Sequence, residues 1–241
     1  MSDLIQWPRA KYWDKAWNPV VGCNPCSPAC DNFYAAAWAK RFGQSFKPHP
    51  SSHRTPPRKG VVFCGNMTDL FGEWVFAQWR HVYATVSSSV LGNSPATYLW
   101  LTKRVACMAN TLNQFDRAPN HYFGFTAESQ EWFDRRMLQA VDLPQWANLW
   151  LSAEPLLGPM EPIVGHNYPF KWVVVGCESG PNRRPCKIEW VERIVEICRD
   201  NRTPVFVKQI CLPSGKFTNK IDEFPKHLQI RQVPWATKGD A

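Results

Sequence analysis

The sequence has no continuous apolar run of membrane-spanning length, and its opening residues MSDLIQWPRAKYW lack the apolar stretch of a secretory signal. A bilayer crossing takes about 20 predominantly apolar residues, so the expectation is a soluble chain, without a membrane partner, in the cytoplasm. Without a secretory signal, the odd count of nine cysteines does not point to a disulfide framework; metal binding or buried thiols are the better options. A repeated Gly-rich phosphate fingerprint is also missing, which weighs against a dinucleotide-binding sheet. There is no long basic block either.

What is present is ordinary globular composition: hydrophobic residues make up 44% and charged residues 20%, which excludes a disordered chain. At 241 residues the chain matches one undivided barrel-sized domain, long enough to bury a core without staples. The 13 Trp and 14 Phe supply core and rim, and they also offer stacking surface to bases or other flat ligands. A net charge of +8 suits a polyanionic partner such as nucleic acid, although the cations are scattered, among them Lys40, Arg41, Arg58, Lys59, Lys103, Arg104, Arg183 and Arg184.

Short β-branched and aromatic runs recur along the chain, each ending in small or polar residues. The spacing predicts strands at Trp17–Gly22, Val61–Cys64, Thr97–Leu101, Tyr122–Thr126, Asn148–Leu151, Trp172–Val175 and Pro204–Val207. Helical patterns lie between most of them: Asn32–Phe42, Glu73–Leu91, a segment ending near Asn113, Gln130–Val141 and Lys187–Asp200. Residues 43–60 are rich in Pro, Ser and Gly and predict a long exposed loop. Strands apolar on both faces that alternate with helices imply a parallel sheet wrapped by those helices. The fold expected is α/β, a single βα-barrel-like domain, partial or closed; the alternative is a doubly wound parallel sheet.

Asp69, Lys103, Glu128, Glu154, Glu178 and Lys208 each follow closely after a predicted strand. In a barrel such positions converge on one mouth, where barrel enzymes place their chemistry. Loop composition alone does not require six charges at equivalent points, since Gly, Asn or Ser would end a strand as well. Lys103, Glu154, Glu178 and Lys208 are therefore candidate catalytic residues. Glu154 and Glu178 could serve as acid and base of a hydrolase, or simply pair with Lys103 and Lys208.

The most distinctive segment is Cys23–Cys30, CNPCSPAC, three thiols directly after the first predicted strand. Thiolates this close repel unless a soft cation neutralises them, so Cys23, Cys26 and Cys30 are candidate ligands of zinc or of an iron–sulfur cluster. Three ligands leave one coordination position open. An open iron is what S-adenosylmethionine chelation requires, whereas an open zinc would activate water. Cys64 or Cys177 could instead close the site and make it structural. Cys107 and Cys198 sit on predicted helix faces and are expected in the core.

WNPVVGC at Trp17–Cys23 and SPACDNFYA at Ser27–Ala35 resemble the opening of a phage and bacterial family of undetermined function, with the signature WNPxxGC…SPGCxxCYA. MTDLF at Met67–Phe71, LTKR at Leu101–Arg104, SAEPLLG at Ser152–Gly158, GCESGP at Gly176–Pro181 and VFVKQ at Val205–Gln209 agree in the same order. The family's cysteine spacing is similar to the cluster loop of radical S-adenosylmethionine enzymes. The resemblance implies a [4Fe–4S] cluster on three cysteines with S-adenosylmethionine on its unique iron; with the cysteine loop in a barrel context, the leading expectation is an iron–sulfur protein acting on a nucleic acid or nucleotide. The resemblance places Thr126 and Glu128 where the S-adenosylmethionine ribose is held, and Asn66 and Asp69 where a cofactor contact follows the second strand, though no Gly-Gly-Glu block stands there. Phe33 occupies the position of the family's third cysteine, and Cys26 supplies a C-x2-C-x3-C spacing in its place. A relocated ligand, another metal or a loss of catalysis all remain open. The other reading is a non-catalytic phage-derived protein, in the host cytoplasm, that binds a host protein or DNA around a structural metal.

Overall fold

The computed structural model describes residues 4–51, 55–75, 94–114, 119–162, 168–180 and 182–237. They fall into two compact units, one of Met1–Tyr12, Thr126–Arg135 and Leu149–Ala241, the other of Trp13–Phe125 and Arg136–Asn148. In both, the strands are mostly parallel and are accompanied by helices, a mixed α/β architecture.

In the unit that begins at Trp13, four parallel strands lie side by side in the order Lys15–Trp17, Val61–Cys64, Thr97–Thr102 and His121–Thr126. All four residues of Val61–Cys64 are buried, as expected for a strand covered on both faces. The predicted first strand is corrected here. Pro19 interrupts it, giving Lys15–Trp17 in the sheet and a separate pair, Val20–Val21, antiparallel to His49–Pro50. Among the described residues of segment 43–60 there is thus one short strand, and most of those residues are exposed. A turn of 3-10 helix at Glu73–Val75 opens the predicted helix Glu73–Leu91, most of which lies outside the described residues.

The core of this unit is aromatic. Trp100 is fully buried, meets Trp17 edge-on at 6.2 Å and stacks on Phe123 at 6.1 Å. His121 is packed among Tyr98, Trp100 and Phe123, and its Nδ1 accepts a hydrogen bond of 3.1 Å from Trp100 Nε1. That bond requires a neutral ring, and burial pushes the His121 pKa down to about 3.

In the other unit, Asn148–Ala153, Trp172–Gly176 and Val205–Cys211 are parallel, and Phe217–Thr218 returns antiparallel to the last of them. The helix Ile188–Asp200 packs on the Trp172–Gly176 and Val205–Cys211 strands through Val191, Ile194, Val195 and Cys198. Tyr12 sits edge-on to Trp150, Trp172 and Phe206, so much of the tryptophan content is core. The strand predicted to stop at Val207 runs on to Cys211, and a peripheral antiparallel pair, Leu4–Gln6 with Gln232–Thr237, joins sequence regions with no predicted element. Among the described residues no helix is long and apolar enough to cross a membrane.

The imidazole of His121 takes up a proton near pH 6.5 when unfolded and near 3 when folded, so the unfolded state binds the extra proton between those values. Its contribution is complete above 6.5 and is lost as pH falls through that window. Urea midpoints measured from pH 7 to 4 should decline more steeply for the native sequence than for His121→Gln, whose amide oxygen still accepts from Trp100 but does not titrate. Parallel declines would show that His121 does not titrate as its burial requires.

Candidate functional site

The cysteine loop is launched by Gly22, whose φ of +92° belongs to the left-handed region and whose added Cβ would strike the Lys47 carbonyl. Gly22 N–H donates to Met67 O at 3.1 Å, and its carbonyl accepts from Thr68 Oγ1 at 2.5 Å. Cys23 N–H then donates to Phe46 O at 3.1 Å. The loop closes with a 3-10 turn, Pro28–Cys30, before the helix Tyr34–Arg41.

Within this loop the Cys26 and Cys30 thiols share a side-chain hydrogen bond. That bond favours the thiolate on Cys30, and the Lys103 charge and the Cys26 and Ser27 backbone N–H groups help to lower its pKa. The same hydrogen bond, with burial, raises the Cys26 pKa. Cys23 is raised too, by burial and then by the nearby Asp69 charge. Thiolate is thus favoured at Cys30 and disfavoured at Cys23 and Cys26. Among the described residues no three His, Cys, Asp or Glu groups are set at metal-ligand spacing.

Asp69 organises the surroundings of the loop. Its carboxylate accepts from Thr102 Oγ1 at 2.8 and 2.9 Å, Phe71 N–H at 3.0 Å, Lys103 N–H at 3.1 Å and Arg104 Nη1 at 3.0 Å. Arg104 extends the network by donating to Asn24 O at 2.8 Å, and its guanidinium lies 4.6 Å over the Trp74 ring. Asn66 accepts from Asn18 Nδ2 at 2.7 Å through its side chain and from Tyr34 O–H at 2.5 Å through its carbonyl. These contacts tie the turn after Val61–Cys64 to the strand end before it and to the helix after the cysteines. Asn66, Asp69 and Lys103 therefore lie around the cysteine loop, with both Asp69 oxygens engaged.

The other unit holds the remaining candidates. Glu154 and Lys208 form an ion pair of 2.6 Å, with side chains only 13% and 22% exposed. Gln209 Nε2 donates to Glu154 at 3.2 Å and to Cys177 O at 2.6 Å, bridging the two strand ends. Glu178 pairs with Arg184 instead of a lysine: Nη2 donates to Oε1 at 2.5 Å, and Nε and the backbone N–H donate to Oε2 at 3.0 and 2.8 Å. Each acid thus has its own cation. Thr126 and Glu128 are buried. Lys208 was foreseen as a carboxylate partner; Arg184 as a clamp was not, and its signal was a cation six residues downstream of Glu178. Cys186 and Cys211 were also unassigned, although both pack near Cys177. Pro181 of the GCESGP block lies outside the described residues.

A family model described as a protein of unknown function (DUF5131) matches residues 8–229. No curated protein and no solved structure matches the chain.

Asp69→Asn should weaken every charge-assisted bond of this hub and leave Arg104 without its anion, at a cost of roughly 3 kcal/mol. A shift of the urea midpoint checks this; a variant as stable as the native protein would mean that the hub is not what holds the loop.

Proposed function

The chain belongs to the DUF5131 family, and on that premise we propose that it is an iron–sulfur protein of radical-S-adenosylmethionine type acting on a nucleic acid or nucleotide in the cytoplasm. The observation that carries the reading is the cysteine loop, where the Cys26 and Cys30 thiols are in contact, Cys23 is close enough to Cys30 to feel its charge, and a cation, Lys103, favours thiolate at Cys30. The donor set fits a cluster in its chemistry, since three sulfurs on one loop leave an iron open. Loading it requires the sulfurs to close around the ion from the arrangement described above. Cys23, Cys26 and Cys30 would hold the cluster, which would supply the electron for reductive cleavage of S-adenosylmethionine. Cys26 stands in for the ligand absent at Phe33.

The surrounding residues have roles that do not depend on the cluster. Asp69 and Arg104 hold the loop against the strand ends, and Asn66 ties it to the helix that follows. Thr126 and Glu128 are offered for cofactor binding, Glu154, Glu178, Lys103 and Lys208 for substrate. The proposal includes a βα-barrel, partial or closed; parallel strands support it, and they support a doubly wound sheet as well.

A second reading rests on the helix Tyr34–Arg41. Tyr34, Trp38 and Phe42 are about half exposed, and Lys40, Arg41 and the Arg41–Phe42 contact add positive charge to aromatic surface. This combination suits stacking against single-stranded nucleic acid, or a host-protein contact, without catalysis. A zinc in the cysteine loop would then be structural. The hydrolase reading gains less, because Glu154 and Glu178 are each neutralised by a dedicated cation rather than left as an acid–base pair.

Anaerobic purification with reconstitution should give a brown protein carrying about four irons per chain. Cys23→Ala, Cys26→Ala and Cys30→Ala should each reduce that content to near zero, while Cys107→Ala retains it. A colourless, iron-free product after reconstitution rejects the reading. Loss of folding in the three variants, together with bound zinc, selects the structural-metal alternative. Binding to DNA should weaken steeply with added salt if the basic surface is responsible.

A further inference from the structure

A second group of cysteines lies away from the loop at Cys23–Cys30. Cys177 follows the strand Trp172–Gly176, Cys211 ends the adjacent strand Val205–Cys211, and Cys186 precedes the helix Ile188–Asp200. Gly176 pairs with Gln209 in the parallel ladder, so Cys177 and Cys211 stand one and two residues beyond a registered pair. The backbone keeps them together past the end of the ladder: Cys177 N–H donates to Gln209 O at 3.2 Å, and Gln209 Nε2 donates back to Cys177 O at 2.6 Å. Neighbouring strands run about 4.8 Å apart and rise about 3.3 Å per residue, so a pair offset by one residue stands roughly 6 Å apart, within the range of roughly 4.4–6.8 Å between Cα atoms that a disulfide bridges. The two thiols share a side-chain hydrogen bond, and all three cysteines are free.

From this geometry we infer that Cys177 and Cys211 form a reversible disulfide, a redox modification site whose oxidant is a low-molecular-weight disulfide such as oxidised glutathione. Exposure sets the order of events. Cys177 is fully buried and Cys186 is 6% exposed, whereas Cys211 reaches solvent. The Cys211 thiolate attacks one glutathione sulfur, forming a mixed disulfide and expelling the first glutathione thiolate, which takes up the proton Cys211 released. Cys177 then loses its proton and attacks the Cys211 sulfur, forming the protein disulfide and expelling the second glutathione as its thiol. Two protein thiols are oxidised and one glutathione disulfide is reduced to two thiols, with no other reactant. Such a link in a reducing compartment is transient and condition-dependent rather than structural. The Gln209 amide that contacts Cys177 O also contacts Glu154, so the bridge forms beside the Glu154–Lys208 ion pair, whose lysine stands in one of the two strands it joins.

The test uses the whole native chain. It is equilibrated with mixtures of oxidised and reduced glutathione, trapped by alkylation, digested without reduction and mapped by mass spectrometry. The expected product is a peptide pair linked through Cys177 and Cys211 with two hydrogens fewer, which rises with the oxidised fraction and disappears with dithiothreitol. Cys186→Ser should leave it unchanged. Cys177→Ser should instead accumulate glutathione on Cys211, and its circular dichroism should match the native spectrum. Reaction that stops at the mixed disulfide in the native chain overturns the inference, as does a Cys186–Cys211 link as the major product. Zinc retained through purification, and released only when Cys177, Cys186 and Cys211 are all modified, would overturn it in favour of a metal site.

Discussion

A single buried carboxylate holds the cysteine loop in its place. Asp69 gathers one side-chain hydroxyl, two backbone N–H groups and a guanidinium at the ends of two neighbouring parallel strands, and Arg104 passes that order on to Asn24 inside the loop. A carboxylate this far from water is tolerable only with full hydrogen bonding, so the hub is either complete or costly. Burial and then its negative charge disfavour thiolate on Cys23, while the Cys26 thiol and then Lys103 favour it on Cys30. The three sulfurs thus differ in proton affinity because of the scaffold that positions them.

The other unit treats its charges in the same way. Glu154 and Glu178 each sit at a strand end with a matched cation, and the Arg184 fork is bidentate as well as backbone-assisted. Ion pairs with little exposure act as rigid polar fixtures, suited to orienting a bound group more than to exchanging protons with it. Both units therefore present ordered polar strand ends above aromatic cores, the kind of surface on which binding residues can be placed accurately.

The parallel strands were legible because Val61–Cys64, Thr97–Thr102 and Trp172–Gly176 are apolar on both faces, a pattern that hairpin strands do not share. Ile188–Asp200 was legible from its helical period. The break at Pro19 and the extension to Cys211 were harder, since the one depends on where a missing N–H falls in the ladder and the other carries polar Lys208 and Gln209 within a strand. Position after a strand holds for Asp69, Glu154 and Glu178, whereas Lys208 stands inside the longer strand Val205–Cys211. Position did not reveal who pairs with whom: Glu178 is clamped by Arg184 through a local turn, and the grouping of Cys177 with Cys186 and Cys211 exists only once two strands and a loop are brought together. Membership in a family of unknown function agrees with the resemblance at that level.

At the start of the cysteine loop, main chain meets main chain: Gly22 lies against the Lys47 carbonyl, and Cys23 is bonded to that of Phe46. Contacts of this kind do not consult side-chain identity. These two contacts are therefore indifferent to which residues supply the carbonyls, yet gaining or losing a single residue between Phe42 and Phe46 would shift which carbonyl faces the first cysteine. Length, rather than lettering, is the inheritance that the loop needs from its neighbour.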